Sequence, residues 1–247
     1  MERLAYSIHF DLHEKSDFLF RNNNSNNILN FGSCDYTLVE NYTNYNGRSF
    51  FEFALGSIDP NCITSANLMV THYDDSYWGE GGSDFSFGAH RVTGSWNEGV
   101  ECYDDQSNPA LSWKNGGGDY DSYVYATAVG GKNDPDGTQY NLDITTLVKD
   151  WLIGTYPNYG VALVSTSNTG SSWFSLYSDD AANVANRPKL IIDYSCPAEG
   201  DYVIEIDLAT LPQGNTVMTT DNVETASFGG LGEIDCYNDF GYVFLNK

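Results

Sequence analysis

Short apolar runs separated by clusters of glycine, asparagine and aspartate recur along almost the whole chain. The clearest run lies at the start, where Leu4, Tyr6, Ile8, Phe10 and Leu12 alternate with smaller or polar residues. This period of two residues predicts a strand with one buried face. After an Asn-rich turn at 22–30, further strand-like runs occur at 36–39, 49–54, 66–73, 85–92, 123–129, 159–165, 173–177 and 190–194. Such a series predicts an all-β antiparallel sandwich.

Only one segment has the periodicity of a helix. It begins after Asp143, a plausible N-cap, and ends at Gly154, and its apolar residues recur at the three- and four-residue spacing of a single inward stripe: Ile144, Leu147, Val148, Trp151 and Leu152. We therefore expect one short helix that closes an end of the sandwich.

The charge of the chain excludes two classes of partner. Its 11 lysines and arginines stand against 34 aspartates and glutamates, which gives a formal net charge of −23. A protein this acidic repels phosphate groups and anionic lipids, so no nucleic-acid partner is expected. No apolar stretch of about 18 residues occurs either, so no membrane insertion is expected.

Composition along the chain predicts three regions. Residues 1–16 form an N-terminal strand extension, residues 17–195 form the β-sandwich, and residues 196–247 form an acidic C-terminal β extension. The last region carries Lys247 as its one basic residue and nine acidic residues. Its alternation around Ile204 and its apolar run at 240–245 predict strands, not disorder.

Five cysteines occur without the spacing of a zinc site. Cys196 and Cys236 are predicted to pair and so close the C-terminal extension on itself; a Cys34–Cys62 bond alone, or free thiols in a cytosolic protein, are the alternatives. Glycosylation-type triplets begin at Asn23 and Asn41. Together with the few lysines, these features favour an extracellular or cell-surface location.

The chemistry visible in the sequence is sparse. No GxSxG, HExxH or GxxxxGK[ST] motif occurs, so no catalytic residues are predicted and the protein is expected not to be an enzyme. No cofactor and no metal site is predicted. Calcium is the one ion considered, because aspartates cluster in loops at 74–75, 119–121 and 134–136. Ordinary Asp/Gly turns explain the same residues, and Thr145 stands where an EF-type loop requires Glu.

Aromatic side chains offer one candidate sugar site. Tyr77 and Trp78 lie in a loop that is too polar to bury itself easily, and exposed aromatic rings bind sugar faces. Anchoring of that loop is the alternative role. Trp96, Trp113 and Trp151 are instead expected in the core.

An ordered set of short motifs resembles the DNRLRE domain family over about residues 17–195. The set comprises RSFFEF at 48–53, ITSANL at 63–68, WNE at 96–98, WKN at 113–115, LDITTLVKDW at 142–151, NYGVAL at 158–163, SD at 178–179 and RPKL at 187–190. The resemblance implies a jelly-roll-like sandwich in exported cell-surface, matrix or polysaccharide-degrading proteins, where it is a non-catalytic module. Some members of the family resemble modules that bind acidic polysaccharides such as alginate.

Two functions follow from these features. The first is a structural or adhesive module whose copies associate into a surface or matrix assembly, such as a filament. Its contacts would be the strand of Leu4, Tyr6, Ile8, Phe10 and Leu12, docked in its own or a neighbouring chain, and the run that contains Tyr242 and Phe244. The alternative is a module that binds an extracellular polysaccharide. The charge and the dispersed basic residues favour the first.

Overall fold

A computed structural model describes most of the chain. The described residues are 4–11, 15–22, 27–30, 32–41, 45–73, 84–96, 98, 119–131, 133–166, 172–196, 200–205, 216–218, 223–228 and 242–244, and side chains are described only between residues 32 and 195. The chain divides into two compact units. One runs from Tyr6 to Tyr194, and the other combines Met1–Ala5 with Ser195–Lys247.

Antiparallel strands make up most of the first unit. They are β1 (Leu4–Asp11), β2 (Lys15–Asn22), β3 (Asn27–Asn30), β4 (Tyr36–Asn41), β5 (Tyr45–Glu52), β6 (Ile63–Thr71), β7 (Phe85–Arg91), β8 (Ala126–Gly130), β9 (Gln139–Asp143), β10 (Val161–Ser165), β11 (Ser172–Tyr177) and β12 (Lys189–Cys196). The helix α1 spans Thr145–Leu152, and 3-10 turns lie at Pro60–Cys62 and Val184–Asn186. The predicted all-β class with a single short α-helix is confirmed for the described residues.

The second unit also contains strands. They are β13 (Gly200–Glu205), β14 (Thr216–Met218), β15 (Val223–Phe228) and β16 (Tyr242–Phe244). Strand β13 pairs with β15, and β14 pairs with β16, both antiparallel.

The order of the strands is that of a jelly roll. One sheet has the order β1-β12-β6-β9, and the other has β3-β2-β5-β10-β7-β8. Eight of these strands can be renumbered one to eight in chain order: β1, β5, β6, β7, β8, β9, β10 and β12. The two sheets then contain 1-8-3-6 and 2-7-4-5, which is the jelly-roll arrangement. Strand β1, assigned above to an N-terminal extension, is therefore the first strand of the sandwich. Strands β2 and β3 widen the second sheet, and β4 pairs with β11.

Three strands of the first unit, β2, β3 and β9, were not expected from the sequence. Half of the expected Asn-rich turn is strand, because β3 pairs with β2 through Leu29 opposite Phe20 and Ile28 opposite Arg21. Cross-strand pairing outweighs the low strand propensity of asparagine at the ends of β3. Strand β9 was not expected either, because only Tyr140 and Leu142 in its sequence QYNLD are apolar or aromatic.

Helix α1 has the expected buried stripe. Leu147, Val148 and Trp151 are buried, Leu152 is half-buried, and the start of the helix is joined to the first sheet, where Ala66 donates its N–H to Thr145 Oγ1 over 2.8 Å. The backbone N-cap is Ile144, one residue later than expected, but Asp143 Oδ1 still accepts the N–H of Thr145 over 2.9 Å.

The predicted end of the helix is confirmed. Gly154 has a φ of +79°, which a residue with a side chain rarely adopts, and its N–H donates to Trp151.

Buried tryptophans pack in the core as expected. Trp96 and Trp151 are 2% and 6% exposed. The indole Nε1 of Trp96 donates to the carbonyl of Tyr159 over 2.9 Å. Trp113 lies outside the described residues.

Phe174 on β11 joins the two sheets of the sandwich. Its ring lies 6.2 Å from that of Phe85 and 5.7 Å from that of Phe87, both on β7 of one sheet. It also lies 4.7 Å from His72, directly after β6, and 5.5 Å from Tyr140 on β9 of the other sheet. Such aromatic pairs stabilise a core beyond the area that they bury.

The Phe174 packing gives a first prediction. A Cβ added at Gly130 would lie 2.3 Å from Cε2 and Cζ of Phe174, so the ring would have to shift. We expect Gly130→Ala to lower the free energy of unfolding by about 1–3 kcal/mol in urea denaturation. Gly56→Ala is the matched control, because nothing lies within 4 Å of its added Cβ and its φ is ordinary. Equal unfolding midpoints for the two variants would show that Phe174 is not closely packed.

Candidate functional site

A group of tyrosines and charged residues gathers at one end of β7. We name it the tyrosine–arginine cluster, and it consists of Arg91, Tyr120, Asp121, Tyr123, Tyr125 and Tyr156. The chain at 119–125 is held along β7 by main-chain bonds, since Asp121 N donates to Arg91 O over 2.8 Å and Tyr125 N donates to Ala89 O over 2.9 Å. These hydrogen bonds attach the cluster to the second sheet, although part of the cluster lies in a loop.

An ion pair lies at the centre of the cluster. Arg91 Nη2 and Asp121 Oδ2 are 2.7 Å apart, with side chains 13% and 33% exposed. Asp121 Oδ1 accepts the N–H of Tyr123 over 3.1 Å. This hydrogen bond, followed by that from Arg91, lowers the pKa of Asp121, so its carboxylate is ionised at neutral pH.

Aromatic rings surround the ion pair. The guanidinium carbon of Arg91 lies 3.9 Å from the ring centroid of Tyr156, within the range of a cation–π contact. Tyr123 is 63% exposed, and its ring meets that of Tyr125 edge-on with centroids 4.8 Å apart. The cluster thus combines an exposed tyrosine ring with the partly exposed carboxylate of Asp121, two residues before it.

A second arginine contacts Tyr120, the residue before Asp121. The guanidinium carbon of Arg48, on β5, lies 5.0 Å from the ring centroid of Tyr120, and the ring centroid of His90 lies 5.1 Å from that of Tyr120. His90 Nδ1 lies 2.8 Å from the carbonyl oxygen of Asp121 and donates to it. Burial lowers the pKa of His90, which favours its neutral form at pH 7.

Sequence reasoning did not identify this cluster. Arg48 and Arg91 lie on strands separated by β10 and contact different tyrosines, Tyr120 and Tyr156, which only the folded chain brings near them. The one sequence signal was the density of tyrosine at 120–125, YDSYVY.

The predicted self-association residues lie in strands, as far as they are described. Leu4, Tyr6, Ile8 and Phe10 belong to β1, and Tyr242 and Phe244 belong to β16. Leu12 lies outside the described residues.

Other predicted sites fall largely outside the described residues. These are Tyr77, Trp78, Asn23 and Cys236. Cys196 ends β12, and its pairing with Cys236 stays a prediction. Asn41 ends β4 opposite Ser172 and is half-buried.

Two other cysteines are part of the core. Cys34 and Cys62 are 2% and 6% exposed, and each takes part in a disulfide bond. Neither offers a thiol for catalysis or metal binding.

The aspartates considered for calcium have local partners where they are described. Asp134 Oδ2 accepts from Gly131 N over 2.7 Å and from Tyr140 Oη over 2.5 Å. Asp136 accepts from Tyr177 Oη over 3.0 and 3.1 Å. These contacts close a turn and tie it to β9 and β11. The aspartates at 74–75 lie outside the described residues.

A separate acidic trio was not foreseen. Carboxylate oxygens of Glu98, Asp179 and Asp180 lie within 4.8 Å of one another. Burial and the neighbouring charge of Asp179 raise the pKa of Asp180. Calcium takes about six to eight oxygen ligands, and we assign no metal to these three alone.

Comparison with known proteins adds no family. No model of a known protein family matches the chain, and no curated protein matches it significantly. The resemblance to the DNRLRE family stays a prediction that depends on the motifs quoted above. Among the described residues, no helix is long and apolar enough to span a membrane.

Glu40 gives a prediction for the pH dependence of stability. It lies on β4 opposite Trp173, its Oε2 is buried without a hydrogen-bond partner, and burial raises its pKa from 4.5 to about 7. The folded protein therefore holds a proton more tightly than the unfolded chain, so stability falls as the pH rises through this range. Well above pH 7, the ionised Glu40 lowers the free energy of unfolding by about 3 kcal/mol.

The variant Glu40→Gln has no ionisable carboxyl at this position, so it lacks this pH dependence. We expect the variant to be more stable than the wild type at pH 8 and nearly equal to it at pH 4.5, as measured by urea unfolding across that range. A variant whose stability follows the wild-type curve at every pH would show that Glu40 is solvated in the folded protein.

Proposed function

We propose that the protein is a non-enzymatic extracellular module whose copies associate into a surface or matrix assembly through the edge of the first sheet. The observation that carries this proposal is the position of β1, the outermost strand in the order β1-β12-β6-β9. A strand in this position presents main-chain N–H and C=O groups along its outer side to another chain. Its inner side pairs with β12 of its own chain, so copies would add edge to edge instead of exchanging strands.

The sequence of β1 has few of the features that protect sheet edges. Its eight residues, LAYSIHFD, include no lysine, arginine or proline. It is also the longest of the outermost strands in these two sheets, since β9 and β8 have five residues and β3 has four. Among these edges, β1 therefore offers the longest ladder for a second copy.

The energy of such a contact is modest. Two paired β1 strands would exchange about eight ladder hydrogen bonds at roughly 0.5–1.5 kcal/mol each, against an association cost of about 4–15 kcal/mol. Edge pairing by itself gives weak, concentration-dependent association. Growth beyond a pair of chains requires a second contact, for which the apolar run at 240–245 is our candidate.

Two features support an extracellular location. Disulfide bonds such as those of Cys34 and Cys62 persist in oxidising compartments and are rare in the cytosol. The jelly-roll order is also the fold that the DNRLRE resemblance implied, and modules of that family are exported.

Polysaccharide binding is the second candidate function, and the tyrosine–arginine cluster favours it. The sequence argued against an acidic polysaccharide such as alginate, because the chain is strongly acidic and its basic residues are dispersed. In the fold, Arg91 pairs with Asp121, two residues before the exposed Tyr123, while Arg48 and His90 contact Tyr120. An exposed tyrosine next to an ion pair suits a sugar with apolar faces and polar hydroxyls.

A lysine in β1 tests the self-association proposal. Ser7 occupies a polar position in the alternation of β1, so Ser7→Lys places a charge on the strand without replacing an apolar residue. We expect sedimentation velocity to show a monomer for this variant at concentrations where the wild type forms larger species, because a lysine blocks edge pairing.

The matched control is Thr127→Lys. Thr127 is an exposed hydroxyl residue on β8, the outermost strand at one edge of the other sheet, so the chemical change is the same at a different edge. This variant should associate as the wild type does. A Ser7→Lys protein that keeps the wild-type unfolding midpoint and still associates would refute the proposed contact, as would a wild type that is monomeric at every concentration.

A further inference from the structure

We propose that the tyrosine–arginine cluster binds an uncharged saccharide, with Tyr123 as its stacking platform and Asp121 as its hydrogen-bond acceptor. This inference rests on polysaccharide binding, the second candidate function, and assigns it a site other than the predicted Tyr77 and Trp78. It does not depend on self-association through β1.

Tyr123 has the exposure and support that a sugar platform needs. Its side chain is 63% exposed, the largest exposed fraction among the described large hydrophobic side chains that face solvent. The ring is braced edge-on by Tyr125 at 4.8 Å, and the backbone N–H is held by Asp121 at 3.1 Å. A tyrosine ring buries a large apolar area while it loses little conformational freedom, so it suits an apolar sugar face.

Asp121 supplies the polar contact. Its carboxylate is one-third exposed and ionised, so it can accept hydrogen bonds from sugar hydroxyls beside the Tyr123 ring. Arg91 is a positioning residue, because it holds this carboxylate at 2.7 Å while its own guanidinium is held against Tyr156 at 3.9 Å. A carboxylate that is already held in position loses less conformational entropy when the sugar binds.

The charge of the surface selects an uncharged ligand. Arg91 is balanced by Asp121, and Asp150 lies close enough to act on the neighbouring Tyr125. The pKa of His90 is lowered, which favours its neutral form, so within the described part of the chain Arg48 is the one further cation that contacts Tyr120. One cation on a chain of net charge −23 does not make the surface attractive to a polyuronate.

Binding is tested with defined probes. Isothermal titration of the full chain would use uncharged oligosaccharides from glucan, xylan and mannan, and oligomers of alginate as the acidic probe. We expect at least one uncharged series to bind and alginate to bind at least tenfold more weakly.

Matched variants locate the site. Tyr123→Ala should weaken the uncharged ligand at least tenfold, and Asp121→Asn should weaken it too. Val129→Ala is the control, because Val129 is 56% exposed on β8 and should bind as the wild type does. Wild-type unfolding midpoints for all three variants exclude loss of fold as the cause.

The other outcomes overturn the inference in distinguishable ways. Binding of an uncharged saccharide that survives Tyr123→Ala refutes this site but leaves polysaccharide binding standing. Preference for alginate refutes the ligand class, and no binding by any probe refutes both the site and the second candidate function. Sedimentation of the same samples reports self-association separately.

Discussion

The pairing of the first and last strands of the jelly roll is the constraint on which the sandwich depends. Strand β12 lies between β1 and β6, and its Leu190 and Ile192 pair with Leu68 and Ala66 of β6, all four fully buried. Almost the whole of the first unit separates β1 from β12 along the chain, so the sheet closes only after a long loop has been formed. Contacts of this range slow folding and make it cooperative. The open side of β1, which we propose as the association edge, is a direct consequence of this order.

The insertions into the jelly roll are structural parts of its core. Strands β4 and β11 lie outside the eight-strand order, yet Phe174 of β11 contacts β7 in one sheet and Tyr140 and His72 in the other. Because Gly130 has no side chain, it leaves room for the ring of Phe174. The same pair of inserted strands also places Glu40 where its carboxyl is poorly solvated.

The sequence predicted those features that repeat with a simple period. Alternation identified β1, and the three- and four-residue spacing identified α1 with its stop at Gly154. It did not identify β9, whose sequence QYNLD is mostly polar, or β3, which becomes a strand by pairing with β2. The jelly-roll order came from the family resemblance, because a strand pattern alone does not specify which strands are neighbours.

The proposed binding surface was less predictable from the sequence. The tyrosine–arginine cluster combines a residue of β7 with residues of two loops, and no linear motif joins them. The raised pKa of Glu40 depends on burial, which its place in the sequence does not reveal. Arg48 and Tyr120 lie far apart in the sequence and come into contact only in the folded protein.

Residue-resolved amide hydrogen exchange across β1 is the measurement that tests this account most directly. In dilute monomer, alternate amides of Leu4–Asp11 should be protected by pairing with β12, while those between them exchange freely; in concentrated samples the second set should become protected as well. Free exchange of every β1 amide in the monomer would show that the strand does not belong to its own sheet. It would contradict both the jelly-roll closure and the proposed association edge.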